Sequence, residues 1–208
     1  MMKITSSMEQ AIATTASPRQ VFLFSGHMID APQRPQPRFP AAMEQEAAVK
    51  IGEILDKLEA SQRHLAIVPG IACGGDILFI EACLARQMKV QAYLPFAPAE
   101  FITQSVGFAG DDWVERFQRI INHPLVEIHF QLEELGAVPP EENPFERNNR
   151  WTLRSSLNYD INKLRLIVLW DGKGGDGQGG TFDMVKQVRQ LGGTVEHLDT
   201  TKFDFWAR

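Results

Sequence analysis

Six short strand-like runs alternate with longer helical patterns from residue 21 onward, and this alternation constrains the fold more than any other feature. The runs fall at 21–26 (VFLFSG), 64–69 (HLAIVP), 90–96 (VQAYLPF), 125–130, 164–170 (LRLIVLW) and 194–198. Several are apolar almost throughout rather than at every second residue. That is the pattern of strands buried on both faces, as in a parallel sheet. Helices are expected at 42–61, 76–88, 98–106, 112–123, 143–158 and 181–191. In the first, Ala47, Ile51, Ile54, Leu55 and Leu58 share one face. Asp112 and Glu115 are spaced as a capping box. Asn143-Pro144 reads as a helix start, and Gly192-Gly193 as a helix stop. Strands alternating with helices imply an α/β, three-layer Rossmann-like sandwich with a mainly parallel sheet of about six strands. Residues 1–19 read as a flexible lead-in and 20–208 as one domain.

Composition narrows the function classes. At 44% hydrophobic and 23% charged residues the chain is globular. The net charge of −5 makes nucleic acid an unlikely partner, because non-specific binding relies on a basic surface. No apolar run reaches the roughly 18 residues of a membrane span, and residues 1–20 lack the apolar region of a secretory signal. Cys73 and Cys83 are too few for a disulfide framework or a zinc cluster. They read as buried free thiols in a cytoplasmic protein. His, Asp and Glu show no metal-ligand spacing, so neither a metal nor a cofactor is expected.

The glycines are unevenly placed. Of 16 in the chain, six fall between Gly172 and Gly180, and three more are Gly70, Gly74 and Gly75. Both groups follow an apolar run and precede a helix. In open α/β sheets, ligands sit outside the carboxyl ends of the strands. Two Gly-rich loops there would bring backbone N–H groups and helix N-termini to one edge, a setting suited to phosphate. The alternative is that these glycines only make tight turns. The pattern is neither a Walker A loop nor a dinucleotide fingerprint, since no GK[ST] follows.

Gly70-Ile-Ala-Cys-Gly74-Gly75-Asp76 resembles the G-x-A-x-G-x-D loop of DNA-processing protein A. The later strand followed by Gly179-Gly180-Thr181 resembles the GGT-type loop of Lonely-Guy phosphoribohydrolases. Both families belong to the SLOG superfamily of nucleotide-binding domains. The segments ACGGD…EA and LWDG…GGT…MV look most like SLOG modules of bacterial signalling proteins, over residues 20–199. The resemblance implies a nucleotide or nucleotide-derived ligand. Gly74, Gly75 and Asp76 would line one side of its pocket, Gly179, Gly180 and Thr181 would cradle phosphate, and Ser25 and Gly26 would form the floor. Two departures stand out. The Lonely-Guy glutamate three residues after the threonine is Met184 here, and the DNA-processing histidine four residues after the aspartate is Ile80. The family's arginine has two candidates, Arg150 and Arg154.

Several residues read two ways on the residues alone. Arg147, Arg150 and Arg154 share a helix face, either as a guanidinium clamp or as a solvated basic face. Trp151 is a base-stacking or a core residue. Asp171 accepts ribose hydroxyls or makes a turn. His27 contacts ligand or is inert, while His123 and His129 read as structural. Gly70 completes the ligand-binding set. The main functional expectation is binding or sensing of a nucleotide-like ligand. The alternative is an N-glycosidic hydrolase of nucleoside monophosphates, with Asp183, Asp76 and Arg150 as its catalytic candidates. The apolar tip Phe203, Phe205 and Trp206 either closes over its own core or docks a second copy as a homodimer.

Overall fold

The computed structural model describes residues 17–174 and 180–207. Its centre is a six-stranded, all-parallel sheet of order β4-β3-β2-β1-β5-β6. The strands are β1 (Val21–Gly26), β2 (Leu65–Val68), β3 (Lys89–Leu94), β4 (Val126–Phe130), β5 (Leu164–Trp170) and β6 (Thr194–Asp199). This is the Rossmann-like α/β architecture expected from the alternating runs. The order reverses at β1, whose neighbours β2 and β5 lie on opposite sides. The crevice beyond the carboxyl ends of β1 and β5 is therefore the topological switch point.

Alternate residues of each strand feed different cores. Phe22, Phe24, Ala66, Val68 and Val90 face α1 (Glu44–Lys57), α2 (Gly75–Ala85) and α4 (Asp111–Ile121). Val21, Leu23, Ile67, Leu166 and Val168 face α6 (Pro144–Ser156) and α7 (Thr181–Gln190). The side-chain period of two along a strand thus supplies two apolar layers from one sequence run. An ionic knot ties the first helical layer together. The Arg116 guanidinium of α4 donates to both oxygens of Glu81 in α2, at 3.0 and 2.6 Å, and to Glu44 in α1 at 2.7 Å.

Two elements depart from expectation. Helix α4 has no capping box. The chain enters it through Gly110, whose φ of +116° starts the helix at Asp111. Asp112 therefore lies inside the first turn and pairs with Arg116 at 3.6 Å. A short helix α5 (Gln131–Leu135) follows β4, where no helix was expected. Ahead of both, between β3 and α4, α3 (Pro98–Ser105) forms as its starting proline suggests. Asn143 caps α6 as expected, accepting from the amides of Phe145 and Glu146.

At the C-terminal end, Phe203 is buried in the first core and Phe205 packs against it, so the tip closes over its own domain. Glu46 of α1 holds that turn by accepting from the amides of Asp204 and Phe205 at 2.7 and 3.1 Å. Trp206 stays 45% exposed. Among the described residues, no helix is long and apolar enough to cross a membrane.

Candidate functional site

Ser25, His27, Asp171 and Thr181 meet at the switch point. Ser25, near the end of β1, points to the α6/α7 layer. Its hydroxyl lies 2.8 Å from the Thr181 hydroxyl at the start of α7. Gly180 is the N-cap of that helix and offers no side-chain cap. The first N–H groups of any α-helix lack partners within the helix, and the macrodipole adds partial positive charge there. Asp183 is half-buried in the same first turn. Gly179 falls outside the described residues.

His27 joins the two Gly-rich loops. Its carbonyl accepts the Gly75 amide at 2.9 Å, and its Nε2 accepts the Asp171 amide at 3.1 Å. A ring nitrogen that accepts from N–H carries no proton, so Nε2 is the lone-pair nitrogen of a neutral imidazole. Burial, and next the charge of Arg38, lower the pKa of this histidine against the opposing pull of Asp171. The Asp171 carboxylate lies 3.4 Å from Nε2, with both side chains almost fully enclosed. Its Oδ1 also accepts from the Lys173 amide at 3.1 Å, which shapes the start of the second loop.

The first loop is packed rather than open. Gly74 adopts φ +108°, and a Cβ there would lie 2.7 Å from the Ile29 nitrogen. A Cβ on Gly75 would meet the Gly26 Cα and the His27 oxygen, both at 3.2 Å. A Cβ on Gly26 would press on the Phe24 ring at 2.8 Å. Close approach of the 26–29 segment thus explains glycine at 74 and 75, and the Phe24 ring explains it at 26. Gly70 lies against the Asp76 carboxylate, which a Cβ would meet at 3.0 Å. Asp76 is buried at the start of α2 and accepts from the Ala72 amide at 3.2 Å. Burial pushes its carboxyl up to about 7. Beside it, the buried Cys73 thiol is pushed up to about 12, chiefly by burial, which leaves it an inert thiol.

Helix α6 does not bring its arginines to this edge as a set. Arg147 donates to Gln131 and to the carbonyls of Leu135 and Gly136, closing the C-terminal end of α5. Arg150 pairs with Glu142 at 2.9 Å. Arg154 is exposed. Trp151 is buried edge-on against Tyr93 at 4.6 Å, a core position. His129 stacks on the other side of that cluster, and His123 accepts from the Leu125 amide. The guanidinium placed in electrostatic range of His27 is instead Arg38, from the proline-rich loop after β1. That loop is fixed by Asp30, whose Oδ2 accepts from the amides of Arg38 and Phe39, each at 2.9 Å.

Asn148 escaped the sequence reading. It is 1% exposed, and its Nδ2 donates to the carbonyls of Pro69 and Tyr93 at 2.7 and 2.8 Å. Both amide hydrogens are committed to acceptors, so the amide orientation is determined and Oδ1 is left buried without a hydrogen bond. The side chain ties α6 to the carboxyl ends of β2 and β3. A polar residue three positions before the core residue Trp151 was the available signal.

No family model and no curated protein matches this sequence. Among solved structures, the chain is similar to the Moco carrier protein from Chlamydomonas reinhardtii at 10% identity. That match covers 91% of this chain and 94% of that one, with a TM-score of 0.32.

Proposed function

We propose that this protein is a SLOG-type module that binds or senses a nucleotide-derived ligand at the β1/β5 switch point. One observation carries the reading. The Ser25–Thr181 pair sets the start of α7 against the end of β1, while His27 draws both Gly-rich loops to the same edge. A phosphate at Gly180 and Thr181 would meet the amino end of α7 and the positive end of its helix dipole. The α2 loop serves as a wall, since its Gly75 amide is spent on His27. Arg38 supplies positive charge beside it.

A second reading, hydrolysis of an N-glycosidic bond, is favoured by one specific observation. Asp76 is a buried carboxyl held near neutral pKa at this edge, able to keep or release a proton. One experiment separates the two. Purified protein is mixed with the four common nucleoside monophosphates, and melting temperature and free base are both measured. A ligand at 100 times its Kd adds about 2.7 kcal/mol, a rise of roughly 5–10 °C for a chain of this size. A rise without free base supports the binding module. Base release that disappears in both Asp76→Asn and Asp183→Asn supports the hydrolase. If neither is seen, and Gly180→Val behaves as wild type with every ligand, the site reading fails.

A further inference from the structure

Of the eight large hydrophobic side chains that are exposed among the described residues, five lie at the carboxyl edge of the sheet. Met28 follows β1, Leu132 and Leu135 sit on α5 just after β4, and Phe145 and Phe182 occupy the first turns of α6 and α7. Apolar area left in water forgoes roughly 25 cal/mol for each Å². Such area gathered beside a candidate site marks a surface that something covers.

Phe182 has the setting of a ligand contact. Its side chain is 46% exposed, yet its ring stands on Trp170, 6.2 Å away between centroids and inclined at 52°. Trp170 is buried, and the His197 ring backs it at 5.4 Å. His197 is held there by donating from Nε2 to the Trp170 carbonyl at 2.9 Å. The start of the second Gly-rich loop passes this ring group at Gly172, whose φ is +77°. A Cβ on Gly172 would lie 3.8 Å from His197 Cε1, so the chain passes the rings without a side chain of its own. Phe182 also directly follows Thr181, the residue that meets Ser25. An exposed ring on a fixed aromatic base, one residue from the helix start proposed above to hold phosphate, matches a ligand with phosphate at one end and a flat ring at the other. Phe145 lacks this adjacency, since its ring packs edge-on against Phe96 at the start of α6.

We infer that Phe182 is the stacking surface for the ligand's base, with Trp170 and His197 as its backing. The inference rests on the nucleotide reading above and orients the ligand within it. Phosphate lies toward β1, and the base points outward toward β6, away from Asp76 and the α2 loop.

Calorimetric titration of wild type, Phe182→Ala and Phe182→Trp tests this, with the four common nucleoside monophosphates, ribose 5-phosphate and inorganic phosphate as probes. Stacking of a base on an aromatic side chain corresponds to about 5- to 150-fold in affinity. The expected result has three parts. At least one nucleoside monophosphate binds wild type more tightly than ribose 5-phosphate does. Phe182→Ala removes that advantage while leaving ribose 5-phosphate affinity unchanged. Phe182→Trp restores it. The inference is overturned if Phe182→Ala binds every monophosphate as wild type does, or if ribose 5-phosphate binds as tightly as the nucleotides. In either case phosphate-dependent binding remains and the proposed function stands. If no probe binds wild type, the nucleotide reading falls and takes the inference with it. A wild-type dimer that Phe182→Ala dissociates would assign the ring to a contact between copies, which also overturns it. Because Phe182 is half exposed, an unchanged melting temperature of the alanine variant is the folding control.

Discussion

Replacing Asp76 by asparagine should stabilise the protein above neutral pH and lose that benefit in mild acid. Asp76 is 8% exposed, and its carboxyl accepts from the Ala72 amide at 3.2 Å. Burial lifts its pKa from 3.8 to about 7. Between those two values the folded protein holds a proton that the unfolded chain has released. Stability therefore falls as pH rises through that window, and the cost is complete above it. At about 1.4 kcal/mol for each pH unit, the ceiling is roughly 4 kcal/mol. Asparagine removes the charge and keeps an oxygen to accept from Ala72. Its amino group adds donors to a buried place, at a cost of about 1–2 kcal/mol. The variant should therefore exceed wild type by roughly 2–3 kcal/mol at about pH 8. It should fall slightly below wild type at about pH 4. His27 acts in the opposite sense. Its folded pKa is lowered, so its contribution is lost as pH falls through the unfolded value of 6.5. It is present in both proteins and cancels in the difference. Urea unfolding of both proteins at four pH values between about 4 and 8 reads the effect. A difference that stays flat across that range would refute the reasoning, because it would mean that Asp76 is charged throughout.

Two further substitutions probe the frame of the site. Asn148→Ala strands the buried carbonyls of Pro69 and Tyr93 and should cost roughly 2–4 kcal/mol in thermal unfolding. Asn148→Asp should fare no better, since a carboxylate cannot donate; a loss under about 1 kcal/mol in the alanine variant would show that these bonds do not hold the strand ends. Gly74→Ala must force a side chain into φ +108° and against the Ile29 nitrogen, at a cost of roughly 2–4 kcal/mol. Amide exchange should report it first at Ile29 and Gly75, whose N–H groups bond to Cys73 and His27, and unchanged protection there would count against the packing explanation.

The four inner strands were legible because buried parallel strands write themselves largely as apolar runs, while the edge strands β4 and β6 are mixed in sequence and only partly buried; all six appear where they were expected. Helix α6 was equally legible, since its Asn143 cap is a local device. What escaped depends on partners distant in the chain. Asp112 was expected to cap a helix, but a positive φ at Gly110 moved the cap two residues earlier. The arginines of α6 share a face as their spacing implies. Which carboxylates and carbonyls meet Arg147 and Arg150 depends on how the segment between β4 and α6 folds back. Glycines 74 and 75 were noticed as a loop, yet their backbone answers to residues 26–29. Asn148 stands out in the sequence only as a polar residue close to Trp151, and the strand ends it meets lie 79 and 55 residues away in the chain.

The place of β1 also dictates when the site is built. This strand is made early, and its β2 partner follows within about 40 residues, but β5 begins only at Leu164. Contacts of such long sequence separation carry the largest loop-closure cost and tend to form late. Strands β1 to β4, with the helices between them, can assemble as a half-sheet while one side of β1 still waits for its neighbour. The Ser25–Thr181 and His27–Asp171 pairings each span more than 140 residues and close only after β5 has docked. Any ligand that joins both halves would then bind the finished domain and not its precursor, acting as a thermodynamic clasp on the last step of folding.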